Sequence, residues 1–263
     1  MEKAVLFFDI DGTLLSEVTK EVPQSAVQAL KEAKKNGHFV FVNTGRTICS
    51  VPAEIRRLPV NGFLCGCGIY AEYEGRTIFE EHLDRKTAQA IADKALECRV
   101  DAIFEGMEDV YFYSRTSRFD GLENTRRYMN NRGLGLERYM EQGGCPFDKC
   151  FVYTDDRSRT EEFFQFISTY MEILDRGNRT YECIVKGYTK GTIMEYILHY
   201  FGMERKQSYA FGDSSNDLSM FRCAAHGIAM GEHDPVLEPY TEYIAPKVEE
   251  DGICKALRHY RLI

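Results

Sequence analysis

No stretch of this chain approaches the roughly 18 consecutive apolar residues that a membrane-spanning helix needs. Nor does a basic-then-apolar leader precede the first apolar run, Ala4-Val5-Leu6-Phe7-Phe8. These absences predict a cytoplasmic protein with no membrane partner. Positive charge is scarce as well: 33 lysines and arginines face 41 acidic residues, for a net charge of -8. That balance opposes nucleic-acid backbones and anionic bilayers, so an anionic substrate would need a metal or a few placed cations. Internal repeats and low-complexity segments are also missing. The nine cysteines are an odd number, scattered, and several (Cys183, Cys223, Cys254) sit inside apolar segments, where a reduced thiol behaves as a small hydrophobe. Cys65-Gly66-Cys67 has no second pair at metal-ligand spacing, which argues against a zinc or redox site.

What is present reads as an ordinary globular protein, with 44% hydrophobic and 28% charged residues over a length of 263. That length suits one large domain or two of common size. Apolar strand-like runs alternate with amphipathic segments at both ends of the chain. Pro23 opens a helical stretch with Ala26, Val27, Leu30 and Ala33 on one face, closed by Asn36-Gly37. Strands follow at residues 38–42 and 62–65, and the pattern resumes after Lys190 with a helix to Tyr200, strands at 208–211 and 227–230, and a helix near 250–260. Strand and helix alternating over short joins predict a doubly wound, Rossmann-like parallel α/β sheet.

The middle of the chain differs. Residues 70–73 and 77–80 flank Glu74-Gly75-Arg76 as a hairpin. Beyond it, helices are expected at about 85–98, 120–131 and 159–170, with strands at about 101–105, 110–114, 149–154 and 181–186. The organisation predicted is a core of residues 1–82 and 188–263 interrupted by an inserted α/β unit, 83–187. Gly66-Cys67-Gly68-Ile69-Tyr70-Ala71 loosely fits a dinucleotide-binding pattern, but it leads into a hairpin and so offers no helix N-terminus to a pyrophosphate.

Acidic residues gather where strands end. Asp9-Ile10-Asp11-Gly12-Thr13 follows the first apolar run, and Gly212-Asp213-Ser214-Ser215-Asn216-Asp217 follows Ser208-Tyr209-Ala210-Phe211. The carboxyl ends of neighbouring strands in such a sheet lie together, so Asp9, Asp11 and Asp213 can converge. Three hard oxygen donors describe a magnesium site. Asp217 either orients a ligand or water from outside the ligand set or caps the next helix. Thr44-Gly45 offers a hydroxyl and backbone N–H groups to phosphate oxygens. Lys190 opens a helix, where the dipole disfavours a cation, so either an anion compensates it or it is solvated. Asn216 can donate its amide to the same phosphate. The alternative for Asp11-Gly12-Thr13 is a simple turn.

Asp9-x-Asp11-Gly12-Thr13, Thr44-Gly45-Arg46, Lys190-Gly191 and Gly212-Asp213-x-x-Asn216-Asp217 together resemble the four ordered motifs of the haloacid dehalogenase (HAD) superfamily. The segments Gly227-Ile228-Ala229-Met230-Gly231 and Glu250-Asp251-Gly252-Ile253 are similar to its Cof-type phosphatases, which carry a large inserted α/β cap. Cys65-Gly66 stands where those enzymes commonly have Asn-Gly, which leaves the contacts near the cap boundary open.

The resemblance implies a nucleophile, Asp9, that forms an aspartyl-phosphate, and a general acid/base, Asp11. It further implies Mg2+ bound by Asp9, the Asp11 main-chain carbonyl and Asp213, and phosphate held by the Ile10 backbone, Thr44, Gly45, Lys190 and Asn216. The expected activity is hydrolysis of a small-molecule phosphomonoester, such as a sugar phosphate or a cofactor phosphate, by a monomer or weak dimer. Alternatives are a sugar phosphomutase on a similar core and a non-catalytic phosphometabolite sensor. Arg115, Arg118, Arg176, Arg179, Tyr181 and Lys186 of the inserted unit are candidate substrate contacts, against a solvated or core role.

Overall fold

Val5–Phe8 forms a four-residue strand, β1, in which every side chain is fully buried. Burial on both faces belongs to the interior of a parallel sheet. In the computed structural model, which describes residues 2–263, β1 accordingly lies between two parallel neighbours. The chain continues through α1 (Gln24–Lys35), β2 (Phe39–Asn43), α2 (Ala53–Arg56), β3 (Gly62–Cys65), β4 (Tyr70–Tyr73) and β5 (Arg76–Glu80). An inserted stretch contributes α3 (Arg85–Glu97), β6 (Asp101–Glu105), β7 (Val110–Tyr111), α4 (Asp120–Asn130), β8 (Lys149–Tyr153), α5 (Thr160–Ile167), β9 (Met171–Asp175) and β10 (Thr180–Val185). The first layer system then resumes with α6 (Lys190–Tyr200), β11 (Ser208–Gly212), α7 (Leu218–Cys223), β12 (His226–Ala229), β13 (Tyr243–Ile244) and α8 (Gly252–His259).

Two compact units result: one of residues up to Arg46 with Val51–Glu80 and Tyr188–Ile263, the other of Thr47–Ser50 with Glu81–Gly187. The first holds an eight-stranded sheet in the order β13-β12-β11-β1-β2-β3-β4-β5, parallel from β13 to β3 and antiparallel at the β4–β5 hairpin edge. Val5, Phe7, Phe41 and Leu64 pack with Ile193, Met194 and Ile197 of α6 and Met220 and Phe221 of α7. Period-two alternation turns Leu6 and Phe8 to the other face, and α1 and α8 pack on each other as a further layer. The fold is thus the doubly wound α/β sheet. Register pairs Phe8 with both Phe211 and Val42, so Asp9, Gly212 and Asn43 come next at the carboxyl ends of three adjacent strands.

The second unit is an antiparallel sheet, β7-β6-β8-β10-β9. Phe104, Cys150, Val152 and Cys183 face α3 and α5, while Ile103, Val110 and Phe112 meet Leu122 and Met129 of α4. All nine cysteines are free thiols. No described helix is long and apolar enough to cross a membrane.

Three local expectations differ from the structure. The helix expected at 159–170 stops at Ile167, and Met171–Asp175 forms a further strand with no counterpart among the expected elements. The break lies in Ser168-Thr169-Tyr170, with no glycine or proline to mark it, so the apolar run from Phe163 onward reads as continuous. The strand placed at 110–114 is regular only at Val110–Tyr111, with Phe112 bridging Tyr139 instead. The two-residue strand β13 was also not anticipated, being too short to show alternation.

Candidate active site

Asp9 follows β1 directly and its N–H still donates to the Phe211 carbonyl at 3.0 Å, so the ladder with β11 holds it in place. The chain then turns on the Ile10 carbonyl, which accepts from the N–H groups of Thr13, Leu14 and Leu15 at 3.3, 2.9 and 2.7 Å. Gly12 sits in this turn at φ +78, and a Cβ there would lie 2.4 Å from Asp213 Oδ2. Only glycine meets both demands. The turn separates the two aspartates: Asp9 is 4% exposed, whereas the Asp11 side chain is 43% exposed.

Asp213 lies past β11. Thr13 Oγ1 donates to its Oδ1 at 2.9 Å, tying the first motif to the last. Asp217 Oδ2 accepts from the N–H groups of Asp213 and Ser214 at 3.0 and 3.2 Å, so it shapes the loop that presents Asp213. Lys190 begins α6, where Thr189 caps the helix by accepting from Thr192 N–H at 3.1 Å. Its ammonium is 1% exposed and donates to Asp9 Oδ1 and Asp217 Oδ1, both at 2.6 Å, and to Asn216 Oδ1 at 3.3 Å. The anion that offsets the helix dipole is therefore a pair of carboxylates.

Asp9, Asp213 and Asp217 each bring an oxygen within 4.8 Å of the others. Three carboxylates against one ammonium leave a surplus of negative charge in a buried place. Burial pushes Asp213 up to about 8, helped by the charges of Asp9 and Asp217. Burial also raises Asp9, to about 7, because it and Asp217 together outweigh the attraction of Lys190. Burial alone would lower the Lys190 ammonium, but Asp217 and Asp9 hold it well above the usual lysine range. An all-oxygen donor set whose negative charge a single ammonium does not balance fits a hard divalent cation, not a soft one.

Arg46, two residues beyond Thr44, grips Asp11 with Nε to Oδ2 and Nη2 to Oδ1, both 2.8 Å. Its own N–H donates to Thr44 Oγ1 at 3.1 Å, so this loop and Asp11 form one hydrogen-bonded group. Arg46 belongs to the Thr44-Gly45-Arg46 motif, but the motif resemblance alone gives it no role. A cation at one strand end beside a carboxylate at the next was the available signal. Thr44 and Gly45 are buried, and Thr44 N–H donates to Leu64 O at 2.8 Å. Asn216 turns its Oδ1 toward Lys190 and Ser214 Oγ, which leaves its NH2 as the donating end.

In the inserted unit the candidate substrate contacts are engaged locally. Arg115 pairs with Asp101, Arg118 with Asp155 at 2.8 and 2.9 Å, Arg176 with Glu182 and Arg179 with Asp156. Tyr181 packs edge-on against Phe164 with ring centroids 4.7 Å apart, and Lys186 is exposed.

Residues 6–257 match the family model for haloacid dehalogenase-like hydrolases. Among curated proteins, the chain is 22% identical to the 5-amino-6-(5-phospho-D-ribitylamino)uracil phosphatase YitU of Bacillus subtilis, covering 97% of each. It is 26% identical to a Streptococcus pyogenes serotype M6 protein provisionally named a bifunctional phosphatase/peptidyl-prolyl cis-trans isomerase, of whose length it spans only 54%. Among solved structures, the HAD subclass IIB sugar phosphatase BT4131 superposes with a TM-score of 0.80 at 24% identity, over 99% of this chain and 100% of that one.

Proposed function

Since the chain belongs to the haloacid dehalogenase-like hydrolase family, and to its Cof-type branch, we propose that it is a magnesium-dependent phosphatase acting on small phosphorylated metabolites through an aspartyl-phosphate on Asp9. The observation that carries this reading is the buried Asp9 carboxylate, bonded to Lys190 at 2.6 Å and clustered with Asp213. A sugar phosphatase and a 5-amino-6-(5-phospho-D-ribitylamino)uracil phosphatase among the proteins it is similar to support a small phosphorylated metabolite, a sugar phosphate or a cofactor phosphate, as substrate.

Asp9, Asp213 and the Asp11 carbonyl would hold Mg2+, which neutralises charge on the transferring phosphoryl group when bound. Thr44, the Gly45 and Ile10 backbones, Asn216 and Lys190 would bind the phosphoryl oxygens and align phosphorus with Asp9. An Asp9 oxygen then forms a bond to phosphorus while the bond from phosphorus to the alcohol oxygen breaks. Asp11 supplies the proton that the departing alkoxide takes up. In the second step Asp11 takes a proton from water, whose oxygen attacks phosphorus and frees the Asp9 carboxylate. Arg46, bonded to both Asp11 oxygens, pairs with the carboxylate form and so orients Asp11 for the second step, in which it takes that proton. We assign substrate selection to residues 83–187 and, given a small-metabolite substrate, place the protein in the cytoplasm as a monomer or weak dimer.

The test is phosphate release from a panel of phosphorylated metabolites with and without Mg2+. Release should depend on Mg2+ and fall by about 10⁴-fold or more in Asp9→Asn. Absence of release from every monoester would overturn the reading.

A further inference from the structure

Asn43 is the last residue of β2 and is wholly buried. Its NH2 donates to the Lys190 carbonyl at 2.9 Å and lies 3.4 Å from the Met220 sulfur. Both neighbours are acceptors, which fixes the way the amide points. The other end, Oδ1, has no hydrogen-bond partner among the described residues. A buried carbonyl left unsatisfied costs stability, and an apolar side chain of the same size would avoid that cost. Phe39-Val40-Phe41-Val42, the rest of the strand, is apolar throughout. Folding alone therefore gives no reason for an asparagine here.

The hydrogen bond it makes supplies one. Lys190 is the residue whose ammonium reaches Asp9 and Asp217, and the residue after Asn43 is Thr44. The other ties on the first turn of α6 run elsewhere. Thr189 and Thr192 bond each other, and Gly191 N–H donates to Ser219 Oγ at 3.2 Å. Among these, Asn43 alone links the start of α6 to the end of β2.

We propose that Asn43 is a positioning residue that sets the separation between the Lys190 ammonium and the Thr44-Gly45 loop, and so the fit of the site to a phosphoryl group. The proposal rests on the phosphatase reading for the identity of the ligand. Its test uses inorganic phosphate titrated calorimetrically into the full chain with Mg2+, beside thermal melting, for the wild type, Asn43→Leu and Asn43→Ala. Asn43→Leu should melt at or above the wild-type temperature yet bind phosphate about five- to tenfold more weakly. Asn43→Ala should melt lower, with a similar loss of phosphate affinity, and it carries the test should leucine not fit. Phosphate binding within about twofold of wild type in the folded variants would overturn the proposal, since a purely structural role moves melting alone. The phosphatase reading fails separately, through a wild type that releases no phosphate from any monoester. In that case a wild type that still binds phosphate lets the same titration decide on Asn43, and a wild type that binds none overturns both readings.

Discussion

Asp9 and Asp213 carry a proton in the folded protein over a pH range where a carboxyl in the unfolded chain has lost it. Their folded values, about 7 and about 8, stand above the ordinary 3.8, so the native state binds more protons between these limits. Stability from this pair is therefore present at the acid side of the window and lost as pH rises through 7 to 8. Melting of the metal-stripped protein should fall between pH 6 and pH 8. Added Mg2+ should raise it more at pH 8, because cation and protons compete for the same oxygens. A Mg2+ effect equal at both values would contradict the clustered-carboxylate site. Gly12→Ala should weaken Mg2+ binding by about tenfold or more, measured by calorimetry, since the new Cβ would meet Asp213 Oδ2 at 2.4 Å in a backbone conformation that disfavours it. Much of this was legible in the sequence: acidic residues at strand ends can be read from the order of apolar and charged residues alone. The grip of Arg46 on Asp11 and the reach of Asn43 to Lys190 were not, because each depends on side-chain direction across elements far apart in the chain.

At the level of elements, the site depends on how closely α6 approaches its neighbours. A Cβ on Gly191 would lie 2.5 Å from the Ser219 carbonyl, and one on Gly68 would lie 2.2 Å from the Thr189 carbonyl. Gly191→Ala should push α6 from α7 and carry Lys190 with it, so turnover should drop by about tenfold or more, well beyond any loss in folded fraction by circular dichroism. Thr189→Ala removes the helix cap and should cost about 1 kcal/mol in denaturant unfolding. Helices and strands with clear boundaries were readable: Pro23 and Asn36-Gly37 enclose α1, and β3 ends at the residue expected. The strand β9 escaped because the pattern Met171-Glu172-Ile173-Leu174 continues the apolar run of α5 without a breaker. Its identity comes from pairing with β10, a tertiary contact that no local pattern encodes.

On the scale of the whole molecule, separate apolar cores lie in the two units, one around Phe7 and Phe41 and another around Phe104 and Phe163. Scanning calorimetry should resolve two transitions. Phe41→Ala and Phe104→Ala should each shift the transition of its own unit first, by about 3–5 kcal/mol. Acid should act on the second unit in its own way. Burial would raise Glu182, but Lys149 and Arg176 outweigh it and hold the carboxyl down at about 2. Its stabilising contribution is thus present above the ordinary value of 4.5 and lost as pH falls toward 2, an effect that Glu182→Gln should abolish.

The position of β1 between β2 and β11 also sets a timetable for the making of this protein. During synthesis, β2 can pair with β1 early, but β11 arrives only after the whole inserted unit has been translated. Until then Val5, Leu6, Phe7 and Phe8 stand at an open sheet edge, the arrangement most prone to pairing with a stranger. Asp9 meets Lys190, which lies 181 positions further along the chain. A nascent chain interrupted in the insertion would therefore be both sticky and catalytically silent, since α6 with Lys190 and the strand β11 that covers the edge are both still to come.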